Sequence, residues 1–278
     1  MLTFLLPTRG LTEAPYFEEA LASVLGQSCP RWRLLVLNGG PRPLALPSDE
    51  RIASLEVWPR TGIAVALNLA MRAVKTPFVA VLHDDDRLHP EANLILLKAI
   101  KERPEIDYFH SARRFIDESG RVISAVYPPS ASVSPQEFIE RCPVKALHAW
   151  RVQPALSLGG IDEELTAHGG DDYDFPWRMA EAGARFGAIQ ECLYEIRDHR
   201  SWQRLTTDVP LQTQLDCLRR ILSKHGIPQP AIEEQLQRRA QSYLRQALFT
   251  DLEDFQRKQE SGFDRASGWR MRLRPPQP

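Results

Sequence analysis

Three consecutive acids, Asp84, Asp85 and Asp86, directly follow the uncharged apolar run at residues 78–82. The run is rich in residues that favour β-structure and predicts a buried strand of a parallel sheet. Carboxylates this close repel one another unless a cation neutralises them. Oxygen ligands suit Mg²⁺ or Mn²⁺, which usually bind one or two carboxylates together with substrate phosphates.

Ligands of open α/β sheets bind at the carboxyl ends of the strands. Because Asp84, Asp85 and Asp86 follow such a strand, they indicate a site for a metal ion and a diphosphate. The alternative is a solvated acidic turn in which Asp86 or a neighbour caps the next helix.

Composition limits the classes of function. The chain has 278 residues and a formal net charge of -1, so it can bury a large core and gives no electrostatic argument for nucleic-acid binding. Its four cysteines lie far apart and form no CxxC pair, which is typical of thiols in a reducing compartment. We find neither a signal peptide nor a run of about 18 apolar residues. These features predict a soluble cytoplasmic protein. Peripheral contact with a membrane surface and the oligomeric state stay open.

Strand-like and helix-like segments alternate through the first half of the chain. This rhythm predicts an α/β fold with a doubly wound, mostly parallel sheet. Two strand-like segments around the turn Glu118-Ser119-Gly120 predict a small antiparallel excursion. The predicted strands are residues 2–6, 33–37, 55–58, 78–82, 108–115, 121–126, 186–189 and 193–196, and the predicted helices are residues 16–25, 63–74, 174–182 and one after Pro90.

The composition changes after about Thr206, where strand signals vanish and Gln, Arg and Leu dominate. Residues 211–223 and 230–249 are predicted helices, and the basic, proline-rich end is predicted to be disordered. We therefore expect a domain at residues 1–205 and a helical extension at residues 206–278. Acceptor docking, self-association and membrane-surface contact are the roles expected for the extension.

The order of the motifs over residues 1–205 resembles that of the family 2 glycosyltransferases with the GT-A fold. Pro7-Thr8-Arg9 and the segment SVLGQS are similar to the family's "PTYNR … SVLAQTY", residues 33–40 to its "VDDGS" turn, Arg60, Gly62 and Asn68 to its "N.G...ARN" helix, and LHDDDRLHP to its "LDSDDxxxP" segment. Further on, GGIDE is similar to "GGFDE", GDDYD to "GEDWD", and Arg197 with His199 to an "R..H" pair.

The resemblance implies transfer of a sugar from a nucleotide-diphosphate donor to a hydroxyl of a glycan or other acceptor, with inversion at the anomeric carbon. A divalent ion, Mn²⁺ or Mg²⁺, would then clamp the leaving diphosphate. One positioned carboxylate would accept the proton of the hydroxyl, whereas a glycosidase needs two working carboxylates.

For the acidic triplet, the resemblance favours Asp85 as a metal ligand with Asp86 beside it. Alignment on Pro90 puts His83 in the place of the motif's first acid, where it would contact the ribose or a phosphate or simply fill space. Asp84 or Asp86 would then bond the ribose or metal-bound water. A shifted frame makes Asp84 and Asp86 the pair.

Donor contacts are implied for several polar residues. Asn38 replaces the acid that often reads the donor's base, and its amide suits a pyrimidine edge, although Asn38-Gly39-Gly40 is equally typical of a simple turn. Thr8 and Arg9 lie just beyond the first strand, where Arg9 suits a phosphate or the base. The resemblance also implies donor contacts for Arg60, Asn68 and His199, the last near the metal or a phosphate or else in a structural role.

Asp172 matches the family's proposed base, and Asp171 replaces its companion Glu. Because both acids precede a predicted helix, the helix dipole is expected to lower the pKa of Asp172 and keep it ionised. Helix capping is the alternative interpretation, for which Asp174 is the better candidate because it lies nearest to Pro176.

Two other functions compete with a glycosyltransferase. A sugar-phosphate nucleotidyltransferase would carry a glycine-rich amino-terminal loop, which this chain lacks. A non-catalytic module that binds nucleotide sugars or glycans is favoured by His83 and Asn38, whereas the acids Asp85, Asp86 and Asp172 argue against it.

Overall fold

The computed structural model describes residues 1–9, 16–57, 62–165, 170–198 and 210–241. The strands are β1 (Leu2–Thr8), β2 (Trp32–Asn38), β3 (Ile52–Glu56), β4 (Phe78–Val81), β5 (Arg87–Leu88), β6 (Tyr108–Ile116), β7 (His148–Arg151) and β8 (Phe186–Arg197). The helices are α1 (Phe17–Leu25), α2 (Ile63–Ala73), α3 (Ala92–Glu102), α4 (Glu137–Glu140), α5 (Val152–Ser157), α6 (Asp171–Glu181), α7 (Leu211–Lys224) and α8 (residues 229–241).

The strands form one sheet in the order β3-β2-β1-β4-β7-β6-β8-β5. The first four are parallel, and β6 is parallel to β8, whereas β7 runs antiparallel to both of its neighbours. The predicted α/β fold, mostly parallel with an antiparallel excursion, is confirmed.

The antiparallel excursion lies elsewhere than the sequence predicted. Residues 121–126 form no strand and contribute one isolated bridge, Ile116 with Val122, beside a second between Arg113 and Tyr127. The antiparallel strands are β7 and the two-residue β5, which pairs with β8, and both are too short to show an alternating pattern. The two short strands predicted near the end are the single strand β8, whose pairing with β6 shifts register around Ala112.

The register of the parallel strands sets the site's position. Thr8 pairs with Asn38, and Asn38 pairs with Glu56, so the last residues of β1, β2 and β3 are side by side. Leu5 pairs with Val81, which puts Asp84, three residues further on, level with Thr8. Polar side chains of four strands therefore meet at one edge of the sheet.

Helices cover both faces of the sheet. Alternate residues of β1 point to opposite faces, as the two-residue period of a strand requires. Leu5 belongs to a core cluster with residues of α2, α5, α6 and α7, whereas Phe4 and Leu6 belong to a second cluster with residues of α1 and α3. The sheet is thus buried between two layers, which explains its continuous apolar strands.

Helices α7 and α8 share the core of the preceding elements. They bury Cys217, Ile221, Leu222, Ile232 and Leu236 in the cluster that contains Leu5. In the described part of the chain, no gap in packing marks the boundary predicted near residue 206.

The helix predicted for residues 230–249 is described as far as residue 241, and the predicted disordered tail lies outside the described residues. No helix among the described residues is long and apolar enough to cross a membrane.

We predict that Leu222→Ala lowers the free energy of unfolding by about 2–5 kcal/mol, because it removes a fully buried side chain and leaves a cavity. Denaturant unfolding monitored by circular dichroism measures the change. Leu94→Ala on α3, where the side chain is 45% exposed, is the matched control and should change stability far less. Equal effects of the two substitutions would show that α7 does not belong to the core.

Candidate active site

The acidic triplet follows β4 as the sequence predicted, and its first acid is tied to β1. Asp84 and Asp85 are half-buried. Burial raises the pKa of Asp84 to about 6, while a hydrogen bond from the Thr8 side chain lowers it and the charge of Asp85 raises it. A bound cation would favour the ionised form of Asp84 and so oppose this shift of its pKa.

Asp86 turns into the protein. It is 5% exposed, and its Oδ1 accepts the backbone N–H of Arg197 at 2.8 Å. The Tyr194 side chain also hydrogen-bonds Asp86, while its hydroxyl accepts the backbone N–H of His83 at 3.1 Å. Asp86 therefore fits a supporting role better than the predicted role of metal ligand.

Arg197 anchors the loop that carries Asp84, Asp85 and Asp86, a role that was not predicted from the sequence. The side chain is fully buried, and its Nε donates to the carbonyl of Asp85 at 2.8 Å. Its Nη1 donates to the carbonyls of Asp117 and Glu118, and its Nη2 pairs with Glu19 at 2.7 Å. One guanidinium thus fixes the backbone next to the predicted metal ligand.

Asn38 is buried and fully engaged within the protein. Its Nδ2 donates to the carbonyl of Arg42 and to Oε2 of Glu56, both at 2.7 Å, and its Oδ1 accepts the N–H of Gly40 at 3.0 Å. Because both N–H groups already have partners, the turn interpretation fits Asn38 better than recognition of a base.

The other predicted donor contacts divide into three groups. Thr8 is buried and bonds Asp84, whereas Arg9 is exposed just beyond β1. Asn68 is buried, and its partners are Ile161 and Glu163. Arg60 and His199 lie outside the described residues.

Asn68 connects α2 to the loop that precedes α6. Its amide exchanges two hydrogen bonds with the backbone of Ile161, each of 2.8 Å, and donates to Glu163 at 2.9 Å. Gly160 has a φ of 80°, and a Cβ there would collide with Oδ1 of Asn68. The motif GGIDE is therefore a close-packing element, which glycine alone accommodates without strain.

Asp171 and Asp172 begin α6, as predicted, and both have a raised pKa. Burial is the main cause for each, and the neighbouring charge of Asp172 adds to the shift of Asp171. The side chain of Asp172 has a solvent-exposed surface, although many protein atoms lie close around it and reduce its hydration. The expectation that the helix dipole keeps the pKa of Asp172 low is wrong, because the loss of hydration outweighs the dipole.

The two acidic segments lie close enough to interact. The charge of His83, which precedes the acidic triplet, lowers the pKa of Asp172, and so does the charge of Lys145. The sheet edge and the start of α6 therefore lie near one another, each with a pair of adjacent carboxylates. This arrangement suits a cation on one side and a proton acceptor on the other.

Asp174 does not cap α6. The N-cap residue is Gly170, which makes no side-chain capping bond, and Asp174 is instead completely buried. It pairs with Arg178 at 2.7 Å, with Lys224 at 2.9 Å and with His225 at 3.2 Å. Burial alone would raise the pKa of Asp174, but the hydrogen bonds from these partners lower it to about 2.

This cluster, which we call the Asp174 clamp, consists of Asp174, Arg178, Lys224 and His225. Arg178 also donates to the carbonyl of Gly160 at 2.6 Å, and the ring of His225 stacks on Trp177 at 3.9 Å. The clamp therefore joins α6, the preceding loop and the end of α7. It fixes the helix whose first turn carries Asp171 and Asp172.

The carboxylates after β4 fit a divalent ion that protein and substrate would hold jointly. Among the described residues, no group of three His, Cys, Asp or Glu side chains is arranged to hold a metal ion. Asp84 and Asp85 supply two carboxylates, which is the usual protein contribution when phosphates complete the coordination of Mg²⁺.

Sequence comparison identifies the first half of the chain. A family model described as glycosyl transferase family 2 matches residues 6–134. This segment is similar to the family 2 glycosyltransferases. The resemblance found from the motifs is confirmed over this segment, which includes the acidic triplet. A comparison with curated proteins gave no match.

Solved structures of the S. aureus protein TarS share the fold. Residues 1–349 of TarS in complex with UDP-GlcNAc match with a TM-score of 0.60 and 16% identity, over 80% of this chain and 65% of that one. The complex with UDP has a TM-score of 0.56 and 16% identity, over 80% and 64%. A further structure of TarS 1–349 has a TM-score of 0.59 and 15% identity, over 90% and 74%. The chain thus spans less than two thirds of the length of the first two. At these identities the likeness confirms the predicted GT-A-type fold alone.

We predict that Asp174→Asn lowers the free energy of unfolding by about 1.5–3 kcal/mol at neutral pH, because it removes the buried charge that accepts hydrogen bonds from Arg178 and Lys224. Denaturant unfolding measures the loss. Glu164→Gln is the control, since the Glu164–Arg220 pair joins the same region to α7 but is exposed, so its loss should cost about 1 kcal/mol or less.

The difference in unfolding free energy between wild type and Asp174→Asn should also depend on pH. The pKa of Asp174 is lowered in the folded protein, so its contribution is complete above the unfolded value of about 3.9 and is lost as the pH falls toward 2. The stability gap between wild type and Asp174→Asn should therefore narrow over that interval. A gap that stays constant would contradict the clamp.

Proposed function

We propose that the protein is an inverting, metal-dependent glycosyltransferase that takes a sugar from a nucleoside-diphosphate donor and gives it to an acceptor hydroxyl. The observation that carries the proposal is the single site formed by the acidic loop after β4 and the first turn of α6. One side offers Asp84 and Asp85 at the sheet edge, where α/β folds bind their ligands. The other offers Asp172, within electrostatic reach of His83.

A uridine nucleotide is the donor class that we propose. The similar TarS structures are complexes with UDP-GlcNAc and UDP, and the family match covers the strands that form this edge. Which sugar is transferred does not follow from these residues. Arg9, exposed beyond β1, supplies a cation at the same edge for the donor's phosphates.

Asp84 and Asp85 would hold the divalent ion, Mn²⁺ or Mg²⁺, which when bound would neutralise charge on the leaving diphosphate. Thr8 orients Asp84 by its hydrogen bond, and Arg197 fixes the backbone carbonyl of Asp85. Asp86 supports the same loop through the backbone N–H of Arg197.

Asp172 acts as the general base in this proposal. Its carboxylate accepts the proton of the acceptor hydroxyl while the hydroxyl oxygen attacks the anomeric carbon and the nucleoside diphosphate leaves with the electrons of the broken C–O bond. A raised pKa makes the carboxylate a stronger proton acceptor than an ordinary aspartate, which favours this role near neutral pH. Asp171 contributes its neighbouring charge.

We predict that Asp85→Ala abolishes metal-dependent binding of UDP and leaves the fold intact, because the change removes a ligand and relieves repulsion. Isothermal titration of UDP with and without MnCl₂, together with circular dichroism, measures both. Asp216→Asn, an exposed acid on α7, is the control and should bind as wild type does. Undiminished Mn²⁺-dependent affinity in Asp85→Ala would rule out this ligand.

We also predict that Asp172→Asn lowers turnover by about 10²–10⁴-fold at saturating donor, with donor affinity close to wild type, because it removes only the base. Asp171→Asn should cost less. Since the base must be ionised, the wild-type rate should rise with pH through a pKa above the ordinary aspartate value of about 3.9. Full activity in both variants would place the base elsewhere, and a dead Asp171→Asn beside an active Asp172→Asn would exchange their roles.

A further inference from the structure

Asn38 lies at the end of β2, where the resemblance implies a contact with the base of the nucleotide. Neither N–H of its amide, however, is available for a further hydrogen bond. Both N–H groups are taken, one by the carbonyl of Arg42 and one by Glu56. Its Oδ1 accepts the N–H of Gly40. A base at this end of the sheet edge must therefore find another partner.

Glu56 places a carboxylate directly beside Asn38. It is the last residue of β3, it pairs with Asn38 in the sheet register, and its side chain is exposed. Its Oε2 accepts from Asn38 at 2.7 Å and its Oε1 accepts from the Ser54 hydroxyl at 2.8 Å. A carboxylate has about four lone-pair sites, so these two bonds orient Glu56 and leave acceptor capacity toward solvent.

No cation among the described residues neutralises this carboxylate. Its partners in the described part of the chain are the neutral groups of Asn38 and Ser54. The amide of Asn38 donates a hydrogen bond to Glu56 at 2.7 Å. A carboxylate at position 38 would instead repel Glu56, because both groups would be negatively charged. The pair therefore keeps one oriented carboxylate as acceptor at this end of the sheet edge, one strand away from Asn38.

We propose that Glu56 is the residue that recognises the base of the donor, by accepting the ring N3–H of uracil, and that Asn38 positions it. This inference rests on the proposed function. The row Glu56, Asn38, Thr8 and Asp84 runs across four strand ends, so a nucleotide whose diphosphate meets the ion at Asp84 extends its base toward Glu56.

The chemistry discriminates between pyrimidines. Uracil carries a hydrogen on N3, which the carboxylate accepts, whereas cytosine presents a lone pair at N3, which the carboxylate repels. A hydrogen bond to a charged group contributes about 1.5–3 kcal/mol, which corresponds to about 10-fold to 100-fold in affinity. Wild-type protein should therefore bind UDP at least about tenfold more tightly than CDP. It should reject 3-methyl-UDP, which lacks the hydrogen, to a similar extent.

The test measures dissociation constants of UDP, CDP and 3-methyl-UDP by isothermal titration in MnCl₂ for the full chain and two variants. In Glu56→Gln the side chain both donates and accepts, so the preference for UDP over CDP and 3-methyl-UDP should fall to about threefold or less. Glu50→Gln changes an exposed acid in the turn that precedes β3, six residues from Glu56, and should keep the wild-type preference. Circular dichroism verifies that both variants fold.

The outcomes separate this inference from the proposed function. If wild type binds UDP with Mn²⁺ and Glu56→Gln shows the same preference as Glu50→Gln, Glu56 only supports Asn38 and the inference is overturned. If wild type binds UDP and CDP equally well, base recognition by a carboxylate is likewise overturned while donor binding stands. If wild type binds no nucleoside diphosphate, the proposed function falls together with the inference.

Discussion

Repulsion among carboxylates gathered at one end of the sheet is the constraint on which the rest of the site depends. Asp84 and Asp85 adjoin one another after β4, and Asp171 and Asp172 do so at the start of α6. Burial and like charge raise the pKa of Asp84 and of Asp171. A fold accepts such pairs when surrounding groups hold them in place, and here the buried Arg197 and the Asp174 clamp do so.

The two networks have the same physical form but act on different elements. Arg197 is buried completely and donates to the carbonyl of Asp85, so it holds the backbone of the loop after β4. The Asp174 clamp holds α6 through side chains that begin three residues beyond Asp171. In both cases a bond to a residue close to the paired acids fixes the element that carries them.

Features that depend on a local sequence pattern were predicted, whereas contacts that depend on sheet register or on burial were not. The parallel strands and the acids after β4 follow from the apolar runs and the turn residues that end them. The pairing of Asn38 with Glu56 joins residues 18 apart through the sheet register, which no local pattern shows. The direction of the Asp172 pKa shift was wrong because burial, invisible in one dimension, outweighs the helix dipole. The role of Asp174 was mispredicted for the same reason, since two of its partners, Lys224 and His225, lie at the end of α7.

The packing of α7 changes the division of labour expected along the chain. A boundary near residue 206 would assign the chemistry to the first part and leave the last helices for acceptors or surfaces. Lys224 and His225 nevertheless pair with Asp174, and Cys217 lies so close to Gly170 that a Cβ there would meet its Sγ. The helix that presents Asp172 is thus held partly by residues beyond that boundary. In the proposed function, the described part of the last helices therefore supports the helix that carries the base, whereas the proposed donor contacts lie on the sheet and its loops.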